Sequence, residues 1–204
     1  MQRESKVGRE GGEERARGKW RTLLLLSLAE LLGMSLWFTA SAIAPELQAE
    51  WGLTPGQVGW LTTTVQLGFV AGTALAAVLN LADVLPSRFY FSAAAALGAL
   101  SNLLILWAPG YAVMLAARFL TGFFLAGVYP PAMKMIATWF SSARGLAIGT
   151  VVGALTVGKA SPYLVKALPS LSLDAVVLSA SLAALAGGLL VLAGYRDGPF
   201  PFAR

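Results

Sequence analysis

Polar and charged residues dominate the first 21 positions, and beyond them long apolar runs alternate with short polar breaks. Runs near 22–44, 58–80, 89–108, 111–133, 144–166 and 173–194 are each about 20 residues long, enough for a helix to cross a ~30 Å hydrocarbon core. Chain breakers fall between them: Pro45 and Pro55, Pro86, Pro109 with Gly110, Pro169 and Pro199. In lipid the backbone must satisfy its own hydrogen bonds, so these runs predict helices; the strict alternation of a membrane barrel strand is absent from them. The expected fold is an all-α membrane protein, a six-transmembrane-helix bundle over residues 22–195, with a tail at 1–21 and a short end at 196–204. Ala40-Ser41-Ala42 and Ala42-Ile43-Ala44 have the look of signal-peptidase sites. The first run is nevertheless longer than an h-region of about 7–15 residues, which predicts a retained helix.

Composition narrows the chemistry. Apolar residues make up 57% of the 204 and charged residues 12%, against roughly 25% charged in a soluble domain. With no His and no Cys, the commonest metal ligands and the thiol nucleophile are missing, and neither a metal nor a cofactor nor an enzymatic role is expected. The net charge of +5 is concentrated at the front, in Arg3, Lys6, Arg9, Arg15, Arg17, Lys19 and Arg21. These alternate with Glu4, Glu10, Glu13, Glu14 and several glycines, which reads as a disordered basic tail over 1–21. No aromatic precedes Trp20 to stack on a base, so nucleic acid is not an expected partner. Arg88, Lys134, Arg144, Arg196 and Arg204 fall on the same side of the alternating connections as the tail, against Lys166 on the other. That asymmetry predicts a multi-pass protein of a bacterial-type plasma membrane with both termini cytoplasmic.

Three short motifs point to a family. Asn80-Leu81-Ala82-Asp83-Val84-Leu85-Pro86-Ser87-Arg88 lies between the second and third spans. It resembles the G-x-L-A-D-R-x-G-R-R loop of the major facilitator superfamily, keeping Leu-Ala-Asp and the final Arg. Leu115 to Gly122 in the fourth span resembles the family's L-x-x-x-R-x-x-x-G segment, with Arg118 and Gly122 at the matching places. Trp139-Phe140-Ser141-Ser142-Ala143-Arg144-Gly145 looks like its W-F-x-x-x-x-R-G entry into the fifth span. The Gly-Pro pair of the family's antiporter segment is missing from that span, which has Gly153, Gly158, Lys159 and Pro162. The resemblance covers about residues 20–195 and implies one half of a twelve-helix secondary transporter, built as two inverted repeats of three helices. It also implies that Asp83 and Arg88 act in a gating loop. A second half, or a second copy of this chain, would be needed to enclose a solute cavity. Alternatives are an efflux component for apolar compounds and a truncated membrane subunit that does not transport.

Three ionisable residues fall inside predicted spans: Glu30, Arg118 and Lys159. Such groups are costly in a bilayer and mark candidate sites. Counting at 1.5 Å per residue puts Arg118 and Lys159 at one depth with Trp37, Gln66 and Asn102. Arg118 and Lys159, with Trp37, Gln66 and Tyr163, are therefore the candidate substrate-binding residues for a small, anionic solute. Arg118 has a structural alternative, pairing with Glu30 or with helix-end carbonyls, and Lys159 can snorkel. Glu30, on a face with Met34, Trp37 and Ser41, can load and release a proton and is the candidate for proton coupling. Gly68 and Gly72, like Gly149 and Gly153, have the four-residue spacing of close helix crossings. Pro130-Pro131 predicts a stop to the fourth helix.

Overall fold

A computed structural model of the chain describes residues 2–168 and 172–200, with side chains from residue 18 onward. The predicted breaker Pro169, the side chains of the basic tail up to Arg17, and residues 201–204 with Arg204 lie outside the described residues.

The chain begins with α1, Gln2–Gly33, followed by a 3₁₀ turn at Met34–Leu36 and by α2, Thr39–Ala42, and α3, Ala44–Trp51. Then come α4, Pro55–Val78, the short α5, Leu81–Val84, and α6, Ser87–Leu103, which tightens into a 3₁₀ turn at Leu104–Trp107. The rest is α7, Tyr111–Leu125, α8, Tyr129–Ala137, α9, Arg144–Lys166, and α10, Leu173–Gly194. Among the described residues, five segments are long and apolar enough to cross a membrane: Pro55–Val78, Ser87–Trp107, Tyr111–Ala137, Arg144–Lys166 and Leu173–Gly194.

Local chemistry explains where these helices start. Thr54 caps α4 through a capping box with Gln57, whose side chain accepts from the Thr54 N–H at 2.8 Å. Pro55 then takes the first helical position, where its missing N–H costs nothing. Ser172 caps α10 by accepting from Ala175 N–H at 3.3 Å.

Four expectations need correction. Residues 2–21 belong to α1 rather than to an irregular tail. Extending a helix already nucleated costs far less than starting one, and Glu, Arg and Ala are good helix formers. The first apolar run is not one helix, because regular turns stop at Gly33 and resume at Thr39. Pro45 sits in the first turn of α3 instead of opening a bare connection. Pro130-Pro131 likewise occupies the first turn of α8, so the fourth span bends at Ala126–Val128 and continues to Ala137.

Hydrogen bonds and ion pairs sort the connections to two ends of the bundle. At one end Lys134 on α8 pairs with Asp83 and donates to Ala82 O at 2.6 Å. Trp139 donates to Arg196 O at 2.9 Å, and Trp20 meets Phe140 edge to face. At the other end Lys166 pairs with Glu46, and Tyr111 donates to Gln57 O at 2.9 Å.

Between these ends the helices cross on glycine. A Cβ on Gly68 would lie 2.9 Å from the carbonyl carbon of Phe119, and one on Gly122 2.8 Å from that of Val65. In each case it would lie closer still to the carbonyl oxygen, so α4 and α7 touch backbone to backbone at both places. Gly158 on α9 lies in the same way against Leu31 of α1. Gly149 and Gly153 do not form such a crossing: a Cβ on either would meet nothing within 4 Å. The stripe α9 buries is instead Ala147, Val151, Leu155, Gly158 and Pro162.

Candidate functional site

The interruption of the first span has a partner. Arg118, on α7, is fully buried. Its guanidinium donates to Leu36 O at 3.1 Å, to Trp37 O, to Leu61 O at 3.4 Å and to Asn102 Oδ1 at 3.4 Å. The carbonyls of Leu36 and Trp37 lie where the α-helical ladder is broken, and unpaired carbonyls inside a membrane cost several kcal/mol each. A rigid five-donor fork suits several carbonyls better than an ammonium would. Asn102, buried on α6, passes the network on by donating to Ser181 Oγ at 3.0 Å on α10. Five segments, the first apolar run with α4, α6, α7 and α10, are thereby tied together.

Lys159 lies elsewhere. It is half-buried on α9, with its ammonium 4.2 Å from the centroid of the Trp37 ring, a cation–π contact. Trp37 meets Phe69 of α4 at 5.3 Å, and Phe69 in turn lies 6.4 Å from Tyr129 of α8. Phe38 meets Tyr163 at 6.0 Å. Tyr163 follows Lys159 by one turn of α9 and is 46% exposed. Gln66 is exposed on α4, one turn before Phe69. The ammonium thus rests on Trp37, which leads through Phe69 to Tyr129, while Phe38 and Tyr163 form a separate pair.

The structure brings Lys159, Trp37 and Tyr163 together and sets Gln66 on the turn next to theirs. Arg118 meets this group through the backbone of Trp37, whose carbonyl accepts from its guanidinium. That guanidinium has no exposed surface. Glu30 is also fully buried, and neither carboxylate oxygen has a hydrogen-bond partner among the described residues. Asp83 pairs with Lys134, a side chain rather than a helix end. Arg88 stacks over Phe89, 4.6 Å from the ring centroid. Phe38, Phe69 and Tyr129 were not among the sequence candidates. Their signal, aromatics in three different spans beside Trp37, needs the packing of those spans to become visible.

The sequence profile of the Major Facilitator Superfamily matches residues 25–201. The chain belongs to the major facilitator superfamily. The superfamily's members are membrane transporters, and the three motifs quoted above lie within the matched range. The niacin transporter NiaP of Acinetobacter baylyi is 32% identical over 99 residues, which is 48% of this chain and 22% of the transporter. Among solved structures, a bacterial homologue of the human lysosomal transporter Spinster, in an inward-facing and unoccupied conformation, superimposes with a TM-score of 0.72. Identity there is 17%, over 92% of this chain and 45% of that one, which speaks for the superfamily fold alone. The chain spans less than half the length of either protein.

Proposed function

We propose that this chain is the N-terminal six-helix half of a proton-coupled secondary transporter for a small aromatic carboxylate. The broken segment 22–44 serves as the first span, and the six spans form two inverted three-helix repeats. The basic ends face the cytoplasm of a bacterial-type plasma membrane. A second half, or a second copy of the chain, closes the cavity over the aromatic face. Asp83 and Arg88 belong to the loop that gates the cytoplasmic side.

One observation carries the choice of solute: the half-buried Lys159 ammonium lies against Trp37, whose ring continues through Phe69 to Tyr129. The ammonium supplies a counter-charge in a water-poor site, and the ring faces and edges accept a flat π-system. Niacin, the cargo named for one relative, is a ring with a carboxylate and has that chemistry. Gln66 offers a neutral donor and acceptor at the rim. Arg118 holds the broken first span in place and so positions Trp37.

Proton coupling is assigned to Glu30, a fully buried carboxylate whose oxygens have no hydrogen-bond partner among the described residues. A solute carboxylate seated on Lys159 adds a second anion, which favours a proton on Glu30. Release of the solute lets Glu30 ionise again.

Calorimetric titration of the purified transporter tests the solute class. Niacin and benzoate should bind, whereas nicotinamide (no charge) and cyclohexanecarboxylate (no π-face) should bind at least about tenfold more weakly. Equal binding of all four would overturn the assignment.

A further inference from the structure

A second recess, of about 260 Å³, opens at the basic end of the bundle between the start of the first span and the end of α10. Its walls include Gly18, Arg21, Thr22, Trp139, Gly194 and Arg196. Both arginines are exposed, and neither has an ion-pair partner among the residues whose side chains are described. Asp197 lines a neighbouring recess with Arg88 and Arg196, so that Arg196 borders both. The indole of Trp139 is fixed by its hydrogen bond to Arg196 O. At Gly18 an added Cβ would come within 2.8 Å of that indole, so the wall is close-packed.

Below the arginines the surface turns aliphatic. Leu24 and Leu28 follow Arg21 at three and seven residues, on one face of α1, and are 72% and 43% exposed. On α10, which ends at Gly194, Leu189 is 63% exposed. The recess thus presents two guanidiniums and an indole at the basic end of the bundle, with Leu24 and Leu28 exposed along α1 beyond it.

We propose that this recess binds an anionic phospholipid of the surrounding bilayer. The phosphodiester sits between Arg21 and Arg196, and the acyl chains lie along the exposed leucines of α1. Guanidinium forks match phosphate oxygens, and a second anionic group, such as an acidic headgroup, would meet the same positive end. A lipid held here would join the first span to the last by a bridge independent of the solute site.

The test is thermal unfolding of the purified protein in detergent, titrated with phosphatidylglycerol, phosphatidylcholine or inorganic phosphate. Phosphatidylglycerol should raise the midpoint at concentrations where the other two do not. Arg21→Gln combined with Arg196→Gln should weaken that effect about tenfold or more, given what each cation near a membrane surface contributes. Arg21→Lys with Arg196→Lys should retain the preference for the anionic lipid, and Lys166→Gln at the opposite end should change nothing. Equal effects of the two lipids would overturn the proposal. So would a phosphate effect equal to that of phosphatidylglycerol, or an undiminished response in the double Gln variant. If the double Gln variant does not fold, native mass spectrometry of the parent decides: phosphatidylglycerol adducts enriched over the bulk membrane support the site, and adducts at bulk proportion refute it.

Discussion

Gly122→Ala is expected to remove most of the folded protein, although it adds a single methyl group. The new Cβ would lie 2.8 Å from the carbonyl carbon of Val65 and nearer still to its oxygen, and both belong to the backbone of α4. A flexible side chain could swing away, but a helix backbone held by Gly68 and Gly72 on the same seam cannot. The two helices must part along their whole contact, at a cost of about 3 kcal/mol or more, the upper range for overpacking. Gly68→Ala should behave alike, since its Cβ would meet Phe119 in the same way. Gly153→Leu, facing open space, and Gly110→Leu, in the connection before α7, should leave the folded yield near that of the parent. Monodispersity in detergent by size-exclusion chromatography reads the difference. Equal yields of the Gly122 and Gly153 variants would contradict the crossing.

Arg118→Met is the second large effect, and it too is a folding effect. The substitution leaves the carbonyls of Leu36, Trp37 and Leu61, and Asn102 Oδ1, without the guanidinium that they share. Each unsatisfied buried acceptor costs about 1–3 kcal/mol. The total is comparable with the roughly 5–15 kcal/mol that holds a typical domain together. Arg118→Lys keeps the charge and some donors but not the planar fork, so its folded yield should fall between the two. Solute affinity per folded molecule of the Lys variant should stay close to the parental value. Parental yield of Arg118→Met with solute binding abolished would instead place Arg118 in the solute site.

Much of this architecture is legible in the sequence, for identifiable reasons. The apolar runs at 144–166 and 173–194 coincide with α9 and α10, because hydrophobic length and a capping Ser172 are local properties. The break in the first span is not local. It depends on Arg118, a residue 82 positions from Leu36 and 81 from Trp37. Glycine spacing shows how a helix can be crossed, not whether another helix is there. Gly68 and Gly72 meet α7, whereas Gly149 and Gly153, equally spaced, meet nothing. Depth counting set Arg118 and Lys159 at one level but could not say which way each faces, and only Lys159 reaches the face of the Trp37 ring. The prolines misled in a consistent way. At Pro45 and at Pro130-Pro131 a helix begins rather than ends, since a proline in the first turn replaces an N–H that has no partner anyway.

In the proposed transporter, solute meets Lys159 against the Trp37 ring while Arg118 stays buried behind it. Uptake of radiolabelled niacin by vesicles carrying the complete transporter tests this most directly, with each variant matched for the amount of folded protein. Lys159→Met should lower uptake at least about tenfold, through loss of the counter-charge in a dehydrated site. Lys159→Arg should restore a measurable part of it. Uptake by Lys159→Met equal to that of the parent would contradict the account.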